Sequence, residues 1–202
     1  MAINLQKGQK VNLTKKSGSL GEISINLNWQ QPLKKKEKGF FSKIFGGSDA
    51  IDLDLACLYE MKDGSKGVVQ ALGDCFGSLR DFPYIALDSD DRSGSSANGE
   101  TMRVNGAKIS EFKRILVFTF IYEGAANWQE AQGVVTLKCP GSEDIIVKMD
   151  EYGSNKILCA IAMLENQNNE TFSVEKLVRF FNGHEDLDRA YNWGMQWVEG
   201  SK

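Results

Sequence analysis

Residues Arg114 to Tyr122 read RILVFTFIY, an almost unbroken run of β-branched, aromatic and aliphatic side chains. Successive side chains of a strand point to opposite faces, so a run apolar at both parities must be covered on both sides. This segment therefore predicts a central strand with material packed above and below it. The neighbouring segments show the alternation of half-buried strands. Ile23, Ile25, Leu27 and Trp29 alternate with Ser24, Asn26 and Asn28, and Ile51, Leu53, Leu55, Cys57 and Tyr59 share one parity. Asp52 and Asp54 then project together from the other face. Further strands are predicted over 10–13, 67–72, 81–87, 133–139, 144–149 and 156–164, about ten in all. The intervening turn residues recur at the 8–12-residue spacing of an all-β sandwich. The fold class expected is thus an all-β sandwich of two packed, mainly antiparallel sheets, in one domain spanning 1–202. One or two short C-terminal helices complete it. One is predicted from an N-cap at Ser173 through Val174, Leu177, Val178 and Phe181 to a stop at Asn182-Gly183. A second is predicted over 185–193. The aromatic residues of the tail, Tyr191, Trp193 and Trp197, are expected to pack back on the domain.

Composition narrows the chemistry. The chain holds 202 residues with a formal net charge of −3, a poor match to a polyphosphate surface, so no nucleic-acid partner is expected. No window approaches 18 uninterrupted apolar residues, so no transmembrane segment is expected. The start, MAINLQKGQK, lacks the apolar core of a secretory signal, which makes the cytoplasm the expected compartment. The single histidine, His184, rules out sites built from two or three imidazoles and reads as a partly exposed or capping residue. None of the four cysteines, Cys57, Cys75, Cys139 and Cys159, is spaced as CxxC, and they read as buried free thiols. Direct handling of an oxyanion by these thiols has little support in that pattern.

The most informative stretch is the loop Leu87 to Glu100, LDSDDRSGSSANGE. Asp88, Asp90, Asp91, Asn98 and Glu100 fall within thirteen residues of a glycine- and serine-rich loop. Carboxylates held so close repel one another unless a cation neutralises them. Calcium takes six to eight oxygens from carboxylates, amides and carbonyls in a tolerant geometry, which this residue set supplies, with Asp52 and Asp54 as further donors. Magnesium wants fewer protein ligands and a stricter octahedron, and the spacing is not that of an EF-hand.

Three segments together resemble the tellurium-resistance TerD family of bacterial stress proteins. They are the opening LQKGQKVNLTK, the strand DLDLACLY and the loop LDSDDRSGSSANGE. The tail GHEDLDRAYNWGMQW is similar to a TerA-like branch of that family. The resemblance runs over most of the chain except 34–47. It implies a cytoplasmic, non-enzymatic calcium-binding β-sandwich associated with stress resistance. By motif position it implies Asp90, Asp91 and Glu100 as calcium ligands, with Asp88, Asn98, Asp52 and Asp54 beside them. Many members close the loop with a run such as GDDE; here it reads Asn98-Gly99-Glu100, which lowers the charge of the site.

The insert 34–47, KKKEKGFFSKIFGG, breaks the acidic trend with five lysines against one glutamate. Lys34, Lys35 and Lys36 precede Phe40, Phe41 and Phe45, the pattern of a peripheral contact with an anionic membrane or a protein partner, such as another tellurium-resistance protein at the inner membrane face. The plain alternative is aromatics folded under a sandwich edge. Two other function classes fit the residues as well: a hydrolase using paired carboxylates, and a metal-free interaction module.

Overall fold

The computed structural model describes residues 2–16, 18–30, 51–88, 99–123, 128–151 and 155–198. In chain order the strands are β1 (Ala2–Asn4), β2 (Lys10–Asn12), β3 (Glu22–Asn28), β4 (Asp52–Met61), β5 (Lys66–Val69), β6 (Gly77–Ser78), β7 (Ile85–Leu87), β8 (Glu100–Asn105), β9 (Phe112–Glu123), β10 (Val134–Lys138), β11 (Asp144–Lys148), β12 (Leu158–Gln167) and β13 (Thr171–Phe181). Among the described residues two α-helices join them, the single turn α1 (Trp128–Ala131) and α2 (His184–Tyr191), with short 3-10 turns at Leu72–Asp74 and Gly106–Glu111. The strands form two sheets. One has seven strands in the order β1-β11-β10-β3-β8-β7-β6, the other six in the order β2-β13-β12-β9-β4-β5. Every pairing is antiparallel except β1 with β11.

The two sheets are built differently, and the sequence says why. In the seven-stranded sheet the strands alternate. Ile23, Ile25 and Leu27 of β3 and Met102 and Val104 of β8 are buried against the other sheet, while Ser24, Asn26, Thr101 and Arg103 lie on the outer face. The six-stranded sheet is covered on both sides, as the RILVFTFIY run requires. Ile115, Val117 and Ile121 of β9 face the core between the sheets. Leu116, Phe118 and Phe120 belong to a second apolar cluster with Ala56, Leu58, Leu158 and Ala160, closed over by Leu187 of α2 and by Trp193. Trp193 is fully buried, so this part of the C-terminal aromatic cluster does pack on the domain.

The helix expected over 173–182 is not formed: Thr171–Phe181 is strand β13. The helix-like spacing has a different cause. Val174 and Val178 face the inter-sheet core, whereas Leu177 and Phe181 face the outer cluster. The pairing of β12 with β13 shifts register between Ala160 and Ala162, and Val178 has a φ of 42°, marking a bulge that alters the two-residue alternation. A strand buried on both faces and interrupted by a bulge thus mimics a three-to-four-residue period. The shorter helix expected next does form, as α2. The strand expected over 81–87 is only β7, because a cis Phe82–Pro83 bond and a left-handed Tyr84 occupy its first half. Of the thiols, Cys57, Cys139 and Cys159 are buried as expected, but Cys75 is exposed, since it sits in the turn before β6 rather than in a strand. Burial pushes the Cys57 and Cys159 thiols well above their usual range, so both stay protonated and unreactive.

Candidate functional site

Asp52 and Asp54 lie at the start of β4, and Glu100 opens β8 on the opposite sheet. All three are buried, with relative exposures of 6%, 0% and 1%. Glu100 shares the inward parity of Met102 and Val104, which sends its carboxylate between the sheets. There Glu100 Oε2 accepts a hydrogen bond from the Leu55 N–H at 2.6 Å. β5 pairs with β4 only over residues 57–60, so the Glu100 contact lies just beyond the end of that pairing. Gly99 delivers the chain into β8 with a φ of 62°, and a Cβ there would stand 2.0 Å from the Leu27 carbonyl oxygen, so only glycine fits. Close by, Trp29 Nε1 donates to the Ile51 carbonyl at 3.0 Å and ties the end of β3 to the start of β4.

The site residues predicted from sequence therefore divide. Asp52, Asp54 and Glu100 come to the same end of the sandwich but not to one face: Asp54 shares the parity of Ala56 and Leu58, on the outer side of its sheet, whereas Glu100 points between the sheets. Asp88 goes elsewhere: Arg103 Nε donates to both of its carboxylate oxygens, at 2.7 and 2.9 Å, and Arg103 Nη1 also reaches Glu22 Oε1 at 2.5 Å. Arg103 is on the outer face of the seven-stranded sheet, so Asp88 is committed to that face. Asp90, Asp91 and Asn98 lie outside the described residues, as do Lys34, Lys35, Lys36, Phe40, Phe41 and Phe45 of the insert. Among the described residues, no three acidic, histidine or cysteine side chains converge closely enough to hold a metal ion. The donor set suits a hard cation: buried carboxylates with no imidazole or thiolate among them.

A second polar cluster escaped the sequence reading. Glu60, 5% exposed, accepts from Lys113 Nζ at 2.7 Å and Arg114 Nε at 2.6 Å. Burial works against its charge, but the Lys113 and Arg114 hydrogen bonds and charges outweigh it and hold the carboxyl below its usual range. Arg114 also donates to the Tyr191 and Asn192 carbonyls at 3.0 and 3.2 Å and stacks 3.9 Å from the Trp193 ring centroid. On α2, Asp188 accepts from the Gly194 and Met195 N–H groups, both at 2.8 Å, and from Trp197 Nε1 at 3.0 Å. The one available signal was an acidic residue in the last turn of a helix followed by Asn-Trp-Gly, where Asn192 adopts the left-handed C-cap conformation.

His184 begins α2, with its ring 5.5, 5.0 and 5.0 Å from the rings of Phe118, Phe120 and Trp197 and Nε2 3.1 Å from Gln70 Oε1. Burial pushes its pKa down to about 4, below the ordinary 6.5. The unfolded chain therefore takes up a proton on this ring at a higher pH than the folded one. Stability falls as pH drops from about 6.5 towards 4, by up to about 3 kcal/mol from this residue. Urea titrations at pH 7 and pH 4.5 on the wild type and on His184→Gln should show that the variant loses less on acidification.

Fold and site together define a two-sheet β-sandwich with buried carboxylates at the start of β4 and at the start of β8. Residues 1–140 match the TerD domain model, and the chain belongs to that family. It is 41% identical over 201 residues to the tellurium resistance protein TerA of an Alcaligenes species, covering 96% of this chain and 58% of that protein. The chain thus spans a little over half the length of that relative. It is 26% identical over 175 residues to tellurium resistance protein TerZ of Serratia marcescens, covering 85% of this chain and 87% of that one. Among solved structures, a homologue of a TerD telluride resistance protein from Streptomyces coelicolor superposes with a TM-score of 0.57 at 15% identity, over 84% of this chain and 95% of that one. The protein of unknown function SAV2460 superposes with a TM-score of 0.61 at 13% identity, over 88% and 99%. At those identities the likeness concerns the fold. No helix among the described residues is long and apolar enough to cross a membrane.

Proposed function

We propose that this chain is a non-enzymatic, calcium-binding stress-response protein of the tellurium-resistance class. The observation that carries this reading is the burial of Asp52, Asp54 and Glu100, drawn from both sheets, at the starts of β4 and β8. Burying a carboxylate is costly, and a divalent cation bound nearby offsets that cost. In this reading Asp52, Asp54 and Glu100 supply buried negative charge to the ion site. Asp90, Asp91 and Asn98 complete it, and Asp88 serves Arg103 instead. The ion would link the loop to both sheets, so binding couples to folding. The lysines and phenylalanines of 34–47 give the protein its contact with a partner or with the inner membrane face, and the cytoplasm is its compartment. A carboxylate-pair hydrolase is the less favoured reading, because Asp52 and Asp54 are buried rather than lining an open cleft, and Trp193 is too deeply packed to stack a sugar.

Thermal unfolding of chelator-stripped protein tests the proposal. Calcium at 100 times its Kd should add about 2.7 kcal/mol for one site. The double variant Asp90→Ala/Asp91→Ala should lose that gain, and magnesium should give little of it. No calcium-dependent shift in the wild type would reduce the acidic loop to a solvated turn.

A further inference from the structure

The outer face of the six-stranded sheet carries a buried apolar layer that includes Leu58, Leu116, Phe118 and Phe120. Its cover includes α2 and the segment that follows, and the two parts of that segment are fastened differently. Trp193 is anchored firmly: it is fully buried, its Nε1 donates to the Tyr59 carbonyl at 3.1 Å, and its own carbonyl accepts from Lys66 Nζ at 2.5 Å. Gly194 follows with a φ of 74°, a natural pivot. Beyond it, the hydrogen bonds given above all end on one carboxylate, Asp188. The ring of Trp197 then rests 5.0 Å from that of His184. Surface grooves of about 580 and 540 Å³ flank this ring, both lined by Trp197, which leaves it room to swing outward. Val198 is 89% exposed.

We propose that residues 194–198 form an acid-released strap: protonation of His184 expels Trp197 from its aromatic seat and uncovers the Phe118–Phe120 end of the outer apolar layer. The imidazole sits among rings that cannot solvate a charge, in the first turn of a helix whose N–H dipoles disfavour a cation. The neighbours that face it are largely uncharged: Phe118 and Phe120 from β9, Gln70 from the stretch after β5, Trp197 from the strap. The adjacent acids are Glu185 and Asp186 on its own helix. Asp186 is already engaged by Asn182 Nδ2 at 2.6 Å and Arg189 Nη1 at 3.3 Å. Moving Trp197 aside lets water reach the imidazolium while the Trp193 anchor stays in place. The charge is thus relieved locally rather than by unfolding the sandwich.

Hydrogen–deuterium exchange, corrected for the intrinsic pH dependence, tests this on the whole chain between pH 7 and pH 4.5. The amides of 194–198 should lose about tenfold or more of their protection on acidification while β4, β9 and β12 keep theirs. His184→Gln, which stays neutral and can still hydrogen-bond Gln70, should hold the strap closed at pH 4.5. His184→Lys should open it already at pH 7. Simultaneous loss of protection in the strap and the sheets would overturn the proposal, as would a His184→Gln protein that opens like the wild type. Those two outcomes remain readable even if the lysine variant fails to fold.

Discussion

Replacing Trp193 by alanine should cost about 3–5 kcal/mol of unfolding free energy, the largest effect expected of a single substitution in this chain. Three losses coincide there. The indole is fully buried in the outer cluster, so truncation leaves a cavity under α2. Its Nε1 bond to the Tyr59 carbonyl disappears, and so does the face on which Arg114 stacks at 3.9 Å. The backbone of Asn192 would then lose a well-ordered Arg114 donor as well. Equilibrium urea denaturation of the wild type and Trp193→Ala measures the difference directly. A cost below about 1 kcal/mol would mean that the outer layer is not a cooperative part of the fold.

Glu60→Ala should be nearly as damaging, at about 3 kcal/mol near neutral pH. The carboxylate compensates Arg114, a largely buried guanidinium, and removing it strands that cation against the Trp193 anchor. Because the folded Glu60 pKa is depressed, its contribution is fully present above the unfolded value of about 4.3 and is lost as pH falls through the folded one. The difference between the wild type and Glu60→Ala should therefore shrink on acidification below pH 4, in denaturant titrations at pH 7, 4 and 3. An undiminished difference at pH 3 would assign the cost to packing instead of charge.

Side-chain parity made much of this architecture readable in advance. RILVFTFIY demanded cover on both faces, and β9 lies between two apolar clusters. The alternation of β3 placed Ile23, Ile25 and Leu27 in the core. Parity failed at β13, where a bulge at Val178 and burial on both faces produced a helical spacing from a strand. At the site, the loop and the DLD strand were visible as acids, but their division was not. Asp88 follows Leu87, whose side chain points inward, so strand parity already turned Asp88 outward. Its commitment became evident only when β7 and β8 paired and brought Arg103 beside it. Asp188, Glu60 and Arg114 were invisible for another reason. Their partners lie on other strands or beyond a helix end, at separations that no local pattern encodes.

In the proposed calcium site, Asp52, Asp54 and Glu100 supply buried negative charge. Calorimetric titration of calcium into chelator-stripped wild type and Asp54→Asn, with magnesium as control, tests it most directly. Asp54→Asn keeps the size of the side chain and removes one buried charge. The wild type should bind one or two calcium ions per chain in preference to magnesium. The variant, folded by circular dichroism, should bind calcium at least about tenfold more weakly, the effect of losing about 1.4 kcal/mol of binding free energy. A folded wild type that takes up no calcium, or an Asp54→Asn protein with unchanged stoichiometry and affinity, would contradict the account.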